Sequence, residues 1–151
     1  MDIIALYWTD ADLRGAVSGI PGQPTPNTLW YRISASPSAD VISRVRSDVA
    51  SAFPDEPVFN PTMVAVFTYF AVGYYNTISD KLNTFQAVLS ADGESRSFVT
   101  LCYGNLVWDK GTTSAYPLAG FNSGTTGLYY SMPESFTASA ISLSCGGING
   151  W

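Results

Sequence analysis

The amino-acid sequence predicts an α+β fold, an antiparallel β-sheet system of six to eight strands, sandwich-like, with one amphipathic covering helix. Short apolar runs of strand length are separated by turn-forming residues, and a single stretch carries apolar residues at helical spacing. The 14% aromatic content, 13 glycines and 9 prolines favour a β-rich domain with many turns. The length of 151 residues is enough for a proper core, so we expect one domain over residues 1–151.

Composition and charge exclude several classes of protein. Charged residues make up 13% of the chain and hydrophobic residues 46%, which excludes an intrinsically disordered segment. The net charge is −5 and the seven basic residues form no run, which argues against nucleic acid as a partner. The longest apolar run, residues 63–75, is too short to cross a bilayer. We therefore expect no nucleic-acid partner and no direct membrane insertion.

The first part of the chain contains two predicted strands and a loop between them. Residues 3–8 form a strand that runs into a polar turn, and residues 28–34 form the second strand. The segment 18–27, SGIPGQPTPN, is too rich in glycine and proline for regular structure and is expected on the surface. Three side chains of the second strand share one face and are expected to be buried: Leu29, Tyr31 and Ile33.

One helix is predicted within residues 36–54. Ser36 is an N-cap candidate, Pro37 suits the first helical position, and Pro54 ends the helix. Asp40 lies in the first turn, where a negative charge interacts favourably with the helix dipole. The apolar residues at helical spacing are Val41, Ile42, Val45, Val49, Ala52 and Phe53. This pattern predicts an amphipathic helix that packs on the sheet.

The remaining sequence is predicted to form strands. Residues 62–75 are apolar on both faces, which is typical of a central strand. The stretch NTFQAVLSADGESRSFVTLCYG, residues 83–104, predicts a hairpin whose turn is centred on Asp92 and Gly93. Further strands are predicted at residues 105–109, 127–132 and 137–145, the last of them long.

The residue types that carry most enzymatic chemistry are missing or badly placed. Histidine is absent, which excludes Ser-His-Asp and Cys-His catalysis and histidine-ligated metal sites. No glycine-rich motif for phosphates or dinucleotides occurs. Lys81 and Lys110 lie in polar turns, unlike a buried amine nucleophile. We therefore predict no catalytic residue, no cofactor-binding residue, no cofactor and no enzymatic activity.

Asp10 and Asp12 are the candidate ligands for a metal, which would be calcium. In WTDADLRG they are two residues apart, so both carboxylates could project to one side of an extended segment. Carboxylate oxygens are the ligands that calcium prefers. A polar turn in which Asp side chains bond the backbone is the more common origin of such a pair.

Cys102 and Cys145 allow two interpretations. Each lies in a strand-like run, and the two runs could be neighbours in a sheet. A disulfide between them would close a long loop and stabilise the fold by roughly 3–5 kcal/mol. The alternative is a pair of buried thiols.

The tryptophan side chains could lie in the core or on the surface. Exposed aromatic rings stack on sugars and anchor protein interfaces. In small β-rich domains, however, a strand Trp is more often in the core. We expect Trp8 and Trp108 in the core and leave Trp30 open.

Several motifs in order resemble one family. NTFQAVL at 83–89, SFVTLCYGNLVW at 97–108 and GFNSGTTGLYYSMP at 120–133 resemble the extracellular domain of the nidogen (entactin), alpha-tectorin and mucin-4 type. Additional similarities are YWTDADLRG near the start, LWYRIS, the Ser-Pro helix opening, and the terminal Gly-Trp. Because the matches cover nearly the whole chain, residues 1–151 are identified as a single nidogen-type extracellular domain.

The resemblance implies a non-catalytic module of extracellular matrix, cell adhesion or mucin-like proteins, secreted or part of an ectodomain. Its partners would be extracellular proteins, with self-association as an option, and its mechanism would be presentation of a rigid β surface. The alternative is a calcium- or carbohydrate-dependent recognition domain. Cys102 departs from the family pattern, so the resemblance does not imply the bridge to Cys145. Without a leader before the first strand, we expect a domain excised from a larger protein.

Overall fold

The computed structural model describes residues 2–15, 24–76, 78–110 and 115–144, apart from the side chains of residues 78 and 79. Strands dominate these ranges, and one α-helix is present in them. The elements are β1 (Asp2–Trp8), β2 (Ala11–Asp12), β3 (Thr28–Ser34), α1 (Ala39–Ala52), β4 (Met63–Tyr74), β5 (Ile78–Ala91), β6 (Ser97–Tyr103), β7 (Leu118–Ser123), β8 (Tyr129–Ser131) and a 3₁₀ helix (Ala138–Ser142). The predicted α+β class is confirmed.

The strands form two antiparallel sheets. The three-stranded sheet has the order β1-β7-β8, and the other sheet has the order β2-β4-β5-β6 with β3 also paired to β4. β4 therefore has β2, β3 and β5 as neighbours, which confirms the predicted central strand. No helix in the described ranges is both long and apolar enough to cross a bilayer.

The described residues divide into two compact units. The first contains the described parts of residues 1–30, 68–86 and 101–150, and its core is built around aromatic rings. The Tyr7 ring lies 5.3 Å from Phe85 and 5.7 Å from Trp108, measured between centroids. The rest of this core is aliphatic and aromatic: Val72, Tyr103, Leu106, Ala119, Ala140 and Leu143.

Hydrogen bonds hold two aromatic residues of the first unit, Tyr7 and Trp108, in place. The Tyr7 hydroxyl donates to the backbone oxygen of Trp108 at 2.8 Å, and the Trp108 indole donates to the backbone oxygen of Val72 at 3.1 Å. Burial, assisted by the negative charge of Asp109, raises the pKa of Tyr7. The ring of Trp108 is 3% exposed, so the prediction that it lies in the core is confirmed.

The second unit contains residues 31–67 and 87–100, and its core lies under the helix. Val45 and Val49 of α1 pack with Phe59, Val64 and Val88. The Phe98 ring extends this cluster at 4.7 Å from Phe59. The prediction of an amphipathic helix that covers a sheet is therefore correct for this unit.

The helix begins two residues later than predicted. The N-cap is Ser38 rather than Ser36, and the helix still has Asp40 in its first turn. The Ser38 hydroxyl hydrogen bonds to the Asp40 carboxylate and lowers the pKa of that group. The Ser38 side chain makes no capping bond to the helix backbone.

The predicted hairpin is confirmed, with a turn at residues 92–96 between β5 and β6. Asp92 organises it, because its Oδ1 accepts from the backbone N–H groups of Glu94, Ser95 and Arg96. The Arg96 guanidinium donates to Asp92 Oδ2 at 3.0 Å. These bonds lower the pKa of Asp92 to about 2. Gly93 has a φ of +82°, which a turn of this shape requires.

Two strand predictions near the C-terminal end were wrong, and one strand was not predicted. Residues 138–142 form a 3₁₀ helix within the segment predicted to be the last long strand. No strand is found at 105–109, and β7 occupies residues 118–123, where none was predicted. Gly120 lies inside β7 and Gly124 directly follows it, so the strand character of this segment is weak in the sequence.

Two burial predictions were also wrong. Trp8 is 58% exposed, and Leu29, Tyr31 and Ile33 are all exposed on β3. Alternation shows which side chains share a face of a strand, but it does not show whether anything covers that face. β3 lies at an edge of its sheet, where coverage is least.

Of the loop 18–27 that was predicted on the surface, residues 18–23 lie outside the described residues. Within the remainder, Asn27 is buried rather than on the surface. Its Nδ2 donates to the Gly15 carbonyl at 2.8 Å, and its Oδ1 accepts from the Gly73 N–H at 3.2 Å. Asn27 thus links the loop to β4.

Candidate interaction surface

The three-stranded sheet exposes an apolar row that crosses all of its strands. Ile4 of β1 is opposite Phe121 of β7, and Phe121 is opposite Tyr130 of β8. All three side chains are exposed, and the Phe121 and Tyr130 rings stack at 5.5 Å. We call Ile4, Phe121 and Tyr130 the outer row. The alternate residues Ala5 and Tyr7 are buried, so the outer row lies on the uncovered face.

The backbone under the outer row leaves no room for a side chain at one position. Gly120 has a φ of +147°, and a Cβ atom there would collide with the backbone oxygen of Tyr130. The close approach of β7 and β8 therefore depends on this glycine. Asn122 Oδ1 accepts from the Gly124 N–H at 2.8 Å and shapes the turn between the two strands, as expected of a turn-forming Asn.

The hairpin formed by β7 and β8 carries further exposed apolar residues and no charged residue. Leu128 and Tyr129 are exposed, and Phe136 is exposed just beyond the hairpin. Residues 118–133 contain neither acidic nor basic side chains. A neutral patch with several exposed rings offers burial and stacking to a partner, which is typical of interaction sites. Residues 118–133 also contain no cysteine.

This surface was not predicted from the sequence. β7 was not predicted as a strand, so Phe121 and Tyr130 were not placed side by side. The signal that could have indicated it is the long uncharged stretch with adjacent aromatic residues, LYY and GF.

The calcium candidates Asp10 and Asp12 lie in different environments. Asp12 is buried, and its two carboxylate oxygens accept from the Arg14 guanidinium at 2.9 and 2.7 Å. This pairing raises the pKa of Arg14. Asp10 is exposed, and its backbone oxygen accepts from Tyr75. In the described ranges, no three Cys, Asp or Glu side chains gather around a possible metal position. Calcium binding remains a prediction.

The cysteine pair is only half described. Cys102 is buried in β6, whereas Cys145 lies outside the described residues. The bridge between them therefore remains a prediction.

Comparison with known families agrees with the resemblance in the sequence. Residues 1–149 match the family model described as the nidogen-like domain. The chain belongs to the nidogen-like domain family. A relative of this nidogen-like domain is alpha-tectorin from Mus musculus, which is 32% identical over 93% of the chain. Another is nidogen from Drosophila melanogaster, which is 34% identical over 72% of the chain.

The chain covers only a small part of these relatives, 6% of the alpha-tectorin and 8% of the nidogen. No solved structure matches it significantly. The nidogen-like domain is an extracellular, non-catalytic domain. Family membership thus confirms the predicted extracellular location and the prediction that the chain is not an enzyme, and it supports an extracellular matrix structural module.

Proposed function

We propose that this nidogen-like domain is an adhesion module, in matrix or mucin-like assemblies, that presents a rigid β surface to other extracellular proteins. The observation that carries the proposal is the outer row of Ile4, Phe121 and Tyr130, exposed on a paired sheet. Burial of apolar surface by a partner contributes about 25 cal/mol per Å² before the entropic and desolvation costs of association are subtracted. A row held in place by strand pairing loses little conformational entropy when a partner binds.

The partner we propose is a protein with a complementary apolar surface. The hairpin has no charged residue at 118–133, so a nucleic acid or an anionic lipid surface would gain no ion pairs there. Exposed Phe and Tyr side chains are frequent anchors in protein interfaces.

The test is binding of the domain to purified extracellular matrix proteins, each immobilised separately and measured by surface plasmon resonance. The double variant Phe121→Ser, Tyr130→Ser should weaken binding at least about tenfold, since interface anchors are each worth over 1 kcal/mol. Tyr75→Ser is the matched control, because Tyr75 is 50% exposed and Tyr130 is 51% exposed. Equal binding by the double variant and the control would contradict the proposal.

A calcium- or carbohydrate-dependent recognition domain is the second candidate. It is favoured by the exposed ring of Trp8 so near the exposed Asp10 in the chain. The two candidates differ in their response to calcium. Thermal melting with and without calcium should show a shift of several degrees if the second candidate is correct, and no shift if the first is.

We further propose that residues 1–151 act as one folding domain. A single cooperative unfolding transition, observed identically by fluorescence and by far-UV circular dichroism, is the expected result. Two separate transitions would contradict it.

A further inference from the structure

The edge strand β3 exposes an unusual amount of apolar surface. Residues 29–33 are all exposed, and they comprise Leu29, Trp30, Tyr31, Arg32 and Ile33. Tyr31 is the most exposed of them at 72%. β3 therefore presents large side chains on both of its faces, which a strand covered on one side would not do.

β3 also has an edge available for pairing. Among the described strands, β3 is paired with β4 alone. Among the protective devices common at sheet edges, residues 28–34 contain one charged side chain, Arg32, and no proline, glycine or lysine. A long apolar edge of this kind is a template for another strand.

We propose that the strand added to this edge is β3 of a second copy of the chain, in antiparallel orientation about a two-fold axis at Tyr31. The sequence TLWYRIS is self-complementary in that register. Tyr31 is opposite Tyr31 of the second copy, Leu29 is opposite Ile33, and Trp30 is opposite Arg32. Thr28 and Ser34 pair at the ends. All seven residues of the strand have a partner.

On each face of the paired strands, the opposed side chains would interact favourably. Leu29, Tyr31 and Ile33 form a continuous apolar row with their counterparts, because directly opposed residues share a face. On the other face, the Arg32 guanidinium of each copy lies over the Trp30 ring of the other, which is a favourable cation–π arrangement. The hydroxyl groups of Thr28 and Ser34 flank these two pairs and can hydrogen bond.

Neighbouring symmetric registers are less favourable. A two-fold axis at Arg32 would place two guanidinium groups directly opposite each other, and like charges in that position are destabilising. An axis at Trp30 would place Ile33 opposite Asn27, which is buried and hydrogen bonded to Gly15 and Gly73. The register centred on Tyr31 is the one that uses the whole strand.

This inference goes beyond the proposed function, because it concerns another strand and another partner. The outer row lies on β1, β7 and β8, so loss of self-association would leave binding of a matrix protein intact. A seven-residue strand pair is small for an interface, and we expect a weak dimer with a dissociation constant of roughly 10–500 μM.

The first test is sedimentation velocity of the chain at increasing concentration. The wild-type chain should pass from monomer to dimer. Tyr31→Lys should stay monomeric in the same range, since it opposes two ammonium groups on the axis. Val58→Lys is the matched control, because Val58 is similarly exposed at 73% but lies outside β3 and outside the β1-β7-β8 sheet, and it should dimerise like the wild type. A wild-type chain that stays monomeric, or a Tyr31→Lys chain that dimerises like the control, would overturn the proposal.

The second test is oxidative cross-linking, which reports the register. Tyr31→Cys should form a disulfide-linked dimer, because directly opposed Cα atoms lie about 4.5–5.5 Å apart. Ile33→Cys alone should not form that dimer, but it should cross-link when mixed with Leu29→Cys. The wild-type chain under the same oxidation controls for its native cysteines. Cross-linking of Ile33→Cys with itself, without any in Tyr31→Cys, would overturn the register.

Discussion

Asn83 holds both backbone polar groups of Trp108. Its Oδ1 accepts from the Trp108 N–H at 3.1 Å, and its Nδ2 donates to the Trp108 carbonyl at 2.8 Å. The same Oδ1 accepts from the Val107 N–H at 2.7 Å. Gly104 and Asn105 still exchange backbone hydrogen bonds with Thr84 of β5. Beyond them, the buried Asn83 amide bonds the backbone of Val107 and Trp108 and fixes the central tryptophan of the first unit.

Removal of this amide should destabilise the domain strongly. Asn83→Ala leaves three backbone bonds unmade in a buried site, and we expect the free energy of unfolding to fall by about 2–4 kcal/mol. Denaturant unfolding measures the change. The control is Asn122→Ala, where an exposed side chain loses one turn bond and the cost should be below about 1 kcal/mol. Equal costs for the two variants would contradict the role assigned to Asn83.

Buried Trp108 and exposed Trp8 should differ in their contribution to the free energy of unfolding. Trp108→Phe removes the indole bond to the Val72 carbonyl and leaves a void, so we expect a loss of about 1–3 kcal/mol in unfolding free energy. Trp8→Phe at an exposed site should change it by less than about 0.5 kcal/mol. Urea titrations of both variants check this, and a larger loss at Trp8 would contradict the observed burial.

Protonation of the Asp92 carboxylate should make the stability of the fold depend on pH in the acid range. Its pKa in the folded state is about 2, below the ordinary 3.8, so the ionised carboxylate stabilises the fold above the ordinary value. That contribution is lost as the pH falls through about 2. Asp92→Ala should therefore lower the melting temperature by several degrees at pH 7, and its difference from the wild type should shrink between pH 4 and pH 2. Asp55→Ala controls for the loss of one negative charge at an exposed site. A difference that is constant with pH would contradict the bonding of Asp92.

Gly120 should tolerate no side chain. Gly120→Ala introduces a Cβ atom into the backbone of Tyr130, so β7 and β8 must separate, at a cost of about 3 kcal/mol or more. Gly127→Ala is the control, since its φ of +83° is strained for alanine but the space around it is open, and about 1–2 kcal/mol is expected. Thermal melting separates the two cases, and a mild effect at Gly120 would refute the close approach.

The sequence predicts the elements whose patterns are strong and local. The helix over Ala39–Ala52, the central strand β4 and the turn at Asp92 and Gly93 each follow from periodicity or turn chemistry. The family also follows from motifs in order along the chain. These features depend on near neighbours in the sequence, which is why they can be predicted from it.

Features that depend on distant partners could not be predicted. Tyr31 and Trp8 have the residue types and the alternation of buried positions, but both side chains are exposed, Tyr31 on the edge strand β3 and Trp8 at the end of β1. Asn83 reads as an ordinary polar residue of a strand until Trp108, 25 positions later, is placed against it. The outer row arises only when β7, weak in its pattern, is paired between β1 and β8.

The most direct test of the central claim, that the biology of this domain resides in an exposed β surface, is amide hydrogen exchange of the domain with and without a bound matrix protein. Slower exchange in β1, β7 and β8 around Phe121 and Tyr130 is the predicted result. Protection confined to residues 10–14 and dependent on calcium would contradict it.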